Sequence, residues 1–196
     1  MVLSFDRAHL EPLDKLQPEL RGAFAAACAE RLMPRYRKFS ELAQEGDPDS
    51  LERSLSRLWA DLLGRRMPDA ELEAMLRTCM KLISQLQSDS DWPTEQAEAE
   101  DAASALAYAL RCRRNGQSEE VGAAAKRAYE AVDCYVIKHG EIDTNAPGAE
   151  AEILSHPLIQ VELGRQKRDL DELLNGRIDI AGLRGRAKAE AATFLL

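Results

Sequence analysis

A chain of 196 residues that is 45% hydrophobic and 31% charged has a globular composition, not a disordered one. At this length folding buries roughly 70% of the unfolded chain's surface, so a single domain over residues 1–196 needs neither disulfide nor structural metal. The net charge of −8, with arginine in short scattered groups such as RYRK at 35–38, RR at 65–66, RCRR at 111–114 and RQKR at 165–168, argues against a nucleic-acid surface, which requires a concentrated basic face.

Only 5% of residues are aromatic, Ala and Leu dominate, and Val and Ile are sparse, a bias toward helix. Pro18, Pro34, Pro48, Pro68, Pro93 and Pro157 each stand ahead of a helical stretch, where the missing N–H of proline costs nothing. Acids follow three of them: Asp49, then Asp69 and Glu71, then Glu95 and Glu98, as the helix dipole favours. In chain order the pattern predicts helices over 6–16, 18–33, 34–45, 48–65, 68–87, 93–114, 117–139, 149–155, 157–175 and 182–194.

The stretch 18–33 carries a stripe of Leu20, Phe24, Ala27 and Cys28, and Arg31 returns to its centre on a wheel of about 100° per residue. Leu51, Leu55, Leu58, Trp59, Leu62 and Leu63 make one face of the next long helix, and Leu72, Leu76, Cys79, Ile83 and Leu86 repeat the spacing. The helix at 93–114 is apolar on two opposite faces, Ala99, Ala103, Leu106 and Leu110 against Ala97, Ala105, Tyr108 and Cys112, which places it centrally. Val121, Ala125, Ala128, Val132, Val136 and His139 stripe the helix at 117–139, with His139 as a C-terminal cap, and Ile159, Leu163, Gln166, Leu170 and Leu173 stripe that at 157–175. Gly140 and Gly176 read as helix stops. No segment alternates with period two, and there is neither repeat nor long heptad run. The expected fold is all-α, a compact multi-helix bundle of about eight to ten helices.

Arg31 on an apolar stripe needs an acid if it is buried, because an uncompensated buried charge costs several kcal/mol. Asp101, on the second face of the central helix, is the expected partner, and Glu30, Arg31, Tyr36 and Asp101 are the candidate binding residues. A metal-dependent reading rests on two i, i+3 carboxylate pairs on separate helices, Glu98 with Asp101 and Glu130 with Asp133, which would hold Mg²⁺ through oxygen ligands. This arrangement is similar to the acidic signature of all-α nucleoside-triphosphate pyrophosphatases. His9, His139 and His156 stand apart without metal-ligand spacing, and neither G-x-S-x-G nor a Gly-rich phosphate loop occurs. Cys28, Cys79, Cys112 and Cys134 form no C-x-x-C pair and read as small, reduced hydrophobes. The longest apolar run, AFAAACA, is far below a membrane span, and no basic-then-apolar leader opens the chain, so the cytoplasm is expected. The C-terminal Phe194, Leu195 and Leu196 must be covered, by the bundle itself or by a second subunit.

The stretch AFAAACAERLMPRYRKFSELAQEGD at 23–47, followed by LWADL at 58–62, resembles the YjaG-like bacterial proteins of unknown function. The shared pattern falls on Cys28, Glu30, Arg31, Pro34, Tyr36, Phe39, Gly46 and Asp47. EDAASAL at 100–106 matches through Asp101, and HPLIQVELGRQ at 156–166 matches a second block, although Leu163 stands where that family carries tryptophan. The resemblance implies a compact, cytoplasmic, helical protein and brings no activity. It falls on Arg31 and Asp101 and not on Glu98, Glu130 or Asp133.

The expected function is therefore a non-catalytic interaction or small-ligand-binding module without cofactor, its partner being a protein or a small ligand and neither nucleic acid nor membrane. A Mg²⁺-dependent phosphohydrolase using the paired carboxylates and a homodimeric assembly scaffold are the alternatives.

Overall fold

The computed structural model describes residues 2–86, 92–139 and 142–193. Among them every regular element is helical: eight helices of seven residues or more, led in by the short helix α1 (Arg7–Leu10) and a 3₁₀ turn (Glu11–Lys15). The expected continuous helix over 6–16 is thus split, because Pro12 enters where α1 would continue and the chain tightens into 3₁₀ geometry.

The second expected division does not occur. Helix α2 (Pro18–Ala43) runs unbroken through Pro34. Proline there removes one helical hydrogen bond, at a local cost of about 3 kcal/mol, and packing outweighs it: α2 touches α3 (Pro48–Leu62), α5 (Pro93–Asn115), α6 (Ser118–His139), α8 (Pro157–Leu174) and α9 (Ile180–Thr193). Its AFAAACA run is wholly buried, and α5 answers with Ala99, Ala102, Ala103, Ala105, Ala107 and Ala109. Small side chains on both helices let their axes approach closely, making α2 and α5 the central pair. Ala97, assigned to the second apolar face of α5, is exposed near the start of that helix.

The other boundaries follow from caps. Asp47 accepts the Ser50 N–H at 2.9 Å and starts α3 directly before Pro48. Helix α4 (Asp69–Gln85) opens on acids, Gly116 ends α5 in a left-handed conformation, and His156 Nδ1 accepts the Leu158 N–H to start α8 after the short α7 (Ala149–Ser155). Asp179 accepts the Gly182 N–H at 2.7 Å, so α9 begins at Ile180, two residues earlier than expected. Gly176, at φ 62°, is the stop the sequence signalled. Gly140, the end of the stretch 68–87, the end of 182–194 and the tail Phe194–Leu196 lie outside the described residues. No helix among the described residues is long and apolar enough to cross a membrane.

Candidate functional site

Arg31 is among the largest fully buried side chains, 1% exposed. Its Nη1 donates to Asp169 Oδ2 at 2.9 Å and to Glu190 Oε2 at 3.4 Å, its Nε lies 3.7 Å from Glu162 Oε2, and its Nη2 donates to Cys28 Sγ at 3.5 Å. Helix α8 brings Glu162 and Asp169 on the same stripe as Ile159, Leu163 and Leu170, and α9 brings Glu190. Gln166, also closed to solvent, donates to Glu162 at 2.9 Å and to the Ala125 carbonyl at 3.0 Å, while its oxygen meets His9 Nε2 at 3.0 Å. Outside this shell Arg168 holds Glu190 at 2.6 Å, and Arg186 holds Glu172 at 2.6 Å and Asp169 at 3.6 Å. Burial alone would lower the Arg31 pKa, but the carboxylates of Glu162, Asp169 and Glu190 hold it above the ordinary arginine value. The same burial pushes the Cys28 thiol up to about 12, so it stays neutral.

The expected Arg31–Asp101 pair is therefore corrected. Three acids from α8 and α9 take the guanidinium, and Asp101 on α5 pairs instead with Arg127 on α6 at 3.1 Å. An α2–α5 ion pair does exist, one helical turn further on: Arg35, 5% exposed, contacts Glu98 and stands 5.5 Å over the Tyr135 ring.

The four carboxylates singled out for a metal lie on α5 and α6, one i, i+3 pair on each helix. Glu98, Asp101, Glu130 and Asp133 all act electrostatically on the Cys134 thiol and, with burial, raise its pKa. Each has a built-in partner, however: Glu98 has Arg35, Asp101 has Arg127, Glu130 has Lys126 at 3.3 Å and Arg127 at 3.5 Å, and Asp133 has the Tyr129 hydroxyl at 3.5 Å. Among the described residues no three His, Cys, Asp or Glu side chains are arranged to hold a metal ion. Burial pushes the Asp101 carboxyl up to about 6; Arg127 pulls it down, while Glu130 and Glu100 push the same way as burial. The more exposed Arg127 is held up by the same pairing, so the two ends of this bond differ because Asp101 is buried more deeply.

Glu30 points the other way, toward α3. Its Oε2 accepts from the buried Trp59 indole at 2.7 Å, and burial raises its pKa against the pull of Trp59, Lys188 and Arg184. Glu30, Met33, Pro34, Arg37, Glu52, Leu55, Ser56, Lys188 and Ala191 line a groove of about 370 Å³. Pro34 cannot donate to the Glu30 carbonyl one turn earlier, so a backbone acceptor loses its usual partner on the side of the helix that carries the carboxylate. Tyr36, 1% exposed, has a structural place: its hydroxyl accepts the Asp47 N–H at 3.4 Å, and Gly46, at φ 81°, crosses so closely that a Cβ there would stand 2.8 Å from the hydroxyl oxygen. Arg31, Asp101, Glu30 and Tyr36 are thus four separate environments and not one pocket.

Sequence reasoning missed Arg35, Glu162, Asp169 and Glu190 as partners. The available signal was on α8, where Glu162, Gln166 and Asp169 recur at i, i+4 and i+7 inside an apolar stripe. Cys28, Cys79 and Cys112 are buried as expected. Cys134 is exposed, because it lies two positions off the Val132–Val136 stripe.

The chain superimposes on the crystal structure of a DUF416 family protein from Shewanella baltica OS155 with a TM-score of 0.77 at 20% identity, over 94% of this chain and 93% of that one, a likeness of fold. No curated protein matches. Residues 8–193 match the family profile described as protein of unknown function (DUF416). That match spans nearly the whole helical array, from α1 to the last residue of α9, and the chain belongs to the DUF416 family.

Proposed function

We propose that the chain is a non-catalytic binding module whose groove beside Glu30 takes a small ligand, or a partner's side chain, bearing an amine or guanidinium. The observation that carries this reading is a half-buried carboxylate, fixed by the Trp59 indole, on the wall of the groove. A carboxylate accepts several donors at once, so Glu30 has acceptor capacity beyond the bond from Trp59. The groove's volume lies at the small end of ligand pockets, and Leu55, Met33 and Ala191 give it apolar walls.

Binding is favoured over bond-making because the titratable groups brought together elsewhere already have internal counter-charges, and the buried thiols Cys28, Cys79 and Cys112 are pushed up to about 12. A Mg²⁺-dependent phosphohydrolase would use Glu98, Asp101, Glu130 and Asp133, but Glu98 and Asp101 are already paired with Arg35 and Arg127. Residues 1–196 acting as one bacterial cytoplasmic domain, akin to the YjaG-like proteins, is part of the same proposal, supported by the family motif on Cys28, Glu30, Arg31, Pro34, Tyr36, Gly46 and Asp47. The net charge of −8 favours a partner that is neither nucleic acid nor an anionic membrane. The homodimeric scaffold depends on Phe194, Leu195 and Leu196, outside the described residues.

Thermal unfolding of the wild type and of Glu30→Gln, with amines, guanidinium compounds, free amino acids and Mg²⁺-nucleotides, tests the proposal. A ligand that binds only the folded form raises the melting temperature. The expected result is a rise with a cationic ligand that is lost in Glu30→Gln. No rise with any amine, or one that Glu30→Gln retains, removes the reading, and a rise with Mg²⁺-nucleotide alone favours the phosphohydrolase.

A further inference from the structure

The groove beside Glu30 is lined by four charged side chains, Glu30, Arg37, Glu52 and Lys188, and an internal pair cancels two of them. Arg37 is held by Glu52 at 2.7 Å and by Asp49 at 3.1 Å. What remains on the walls is one anion, Glu30, and one cation, Lys188. The carboxylate comes from α2 and is fixed by Trp59 of α3, whereas the ammonium comes from α9. Among the described residues Lys188 forms no ion pair, with Glu30 or with any other acid, although both line one groove and the Lys188 charge is felt at Glu30.

Helix α9 adds a second cation. Arg184, Lys188 and Ala191 follow one another at i, i+4 and i+7 on one face, and Leu183, Ala187 and Ala191 seat that side of α9 on the core. Arg184 is half-buried, and its Nε is closed to solvent with no hydrogen-bond partner among the described residues. Like Lys188, it draws the Glu30 carboxyl down against the effect of burial. Two like charges one helical turn apart repel each other. Elsewhere around α9 the cations have acids: Arg168 holds Glu190 at 2.6 Å, Arg165 stands 3.9 Å from Glu190, and Arg186 holds Glu172 at 2.6 Å.

These charges narrow the ligand class. A ligand that is a cation alone meets one attraction at Glu30 and two repulsions from Lys188 and Arg184. A ligand that carries its own anion a few bonds from the cation satisfies both sides. We infer that the groove takes an amino acid, its ammonium on Glu30 and its carboxylate on Lys188, with Arg184 adding its charge from one turn earlier and Met33, Leu55 and Ala191 meeting the carbons of its side chain. The inference rests on the groove reading given above and names the ligand class within it. An amine without a carboxylate, or a carboxylate without an amine, leaves one of the two walls without its partner.

Isothermal titration calorimetry of the full chain with the standard amino acids, each beside the amine that lacks its carboxylate, tests the inference. At least one amino acid is expected to bind saturably, and its amine to bind about tenfold more weakly, the loss of one charge-assisted hydrogen bond. Lys188→Met is expected to weaken the amino acid about tenfold. The same variant is expected to bind the amine unchanged or more tightly, because Lys188 only repels a bare cation. Glu30→Gln is expected to lose both ligands. An amine that binds the wild type at least as tightly as its amino acid, or an amino acid that Lys188→Met binds undiminished, overturns the inference and leaves the cation-binding groove standing. Binding retained in Glu30→Gln, or no saturable binding of any amino acid or amine, removes the groove reading and this inference with it. Lys188 is exposed, so the variant is expected to fold, which circular dichroism checks, and Lys188→Gln takes its place if it does not.

Discussion

Arg31 donates to Asp169 at 2.9 Å across 138 positions of sequence, and neither side chain reaches solvent. The bond ties the centre of α2 to α8, and Glu190 draws α9 onto the same guanidinium. Desolvating such charges costs several kcal/mol per ion, so the network contributes little net stability while removal of one member is severe. Arg31→Met leaves Glu162, Asp169 and Glu190 facing one another and is expected to cost about 3–5 kcal/mol in urea unfolding at pH 7. Arg31→Met combined with Glu162→Gln is expected to recover part of that loss, because Asp169 and Glu190 keep Arg186 and Arg168 as counter-charges. A single-variant cost below about 1 kcal/mol would mean that water reaches these acids and that the network is not closed.

How far this was legible depends on range. The stripe Ile159, Leu163, Leu170 on α8 and the two-faced α5 follow from spacing within one helix, and both are buried apart from the exposed Ala97 and the half-buried Tyr108. The need for an acid near Arg31 followed from its place on an apolar stripe. Which acid it is follows from how α8 and α9 dock on α2, and nothing within a few residues of Arg31 encodes that. Asp101 was a reasonable candidate on the neighbouring helix, but Arg127 from α6 reaches it. Pro34 shows the opposite failure: the local rule predicts a break, and packing on five neighbouring helices overrides it. Glu30 and Trp59 sit on different helices 29 positions apart, so their bond was equally invisible.

Asp101 should leave a signature in the pH dependence of stability. Its carboxyl is pushed from an ordinary 3.8 up to about 6, first by burial and further by Glu130 and Glu100, against the pull of Arg127. Between those values the folded chain holds a proton that the unfolded chain has released. The contribution of this group is therefore most favourable at low pH, falls as pH rises through that window, and is flat above it. Asp101→Asn mimics the protonated form and still accepts from Arg127. It is expected to gain on the order of 2 kcal/mol at pH 7 and to abolish this part of the slope. Urea unfolding of both proteins at pH 4, 5, 6 and 7 checks it. A difference between them that does not change across the series contradicts the assignment.

Gly46 and Tyr36 should be energetically coupled. Gly46 has φ 81°, where alanine carries a strain cost of about 1 kcal/mol. A Cβ would also stand 2.8 Å from the Tyr36 hydroxyl oxygen, on a side chain that is fully buried and cannot swing away. Gly46→Ala alone is therefore expected to cost about 2–3 kcal/mol. Tyr36→Phe removes the clashing atom and leaves ring carbons at 3.3 Å, so the same substitution in that background is expected to cost only about 1 kcal/mol, the strain of the backbone. Tyr36→Phe by itself loses the long 3.4 Å hydrogen bond from the Asp47 N–H, a net cost of about 0.5–1 kcal/mol. The double-mutant cycle then closes with a coupling of about 1 kcal/mol or more, and strict additivity of the two single changes would show that the loop moves aside instead of pressing on the ring.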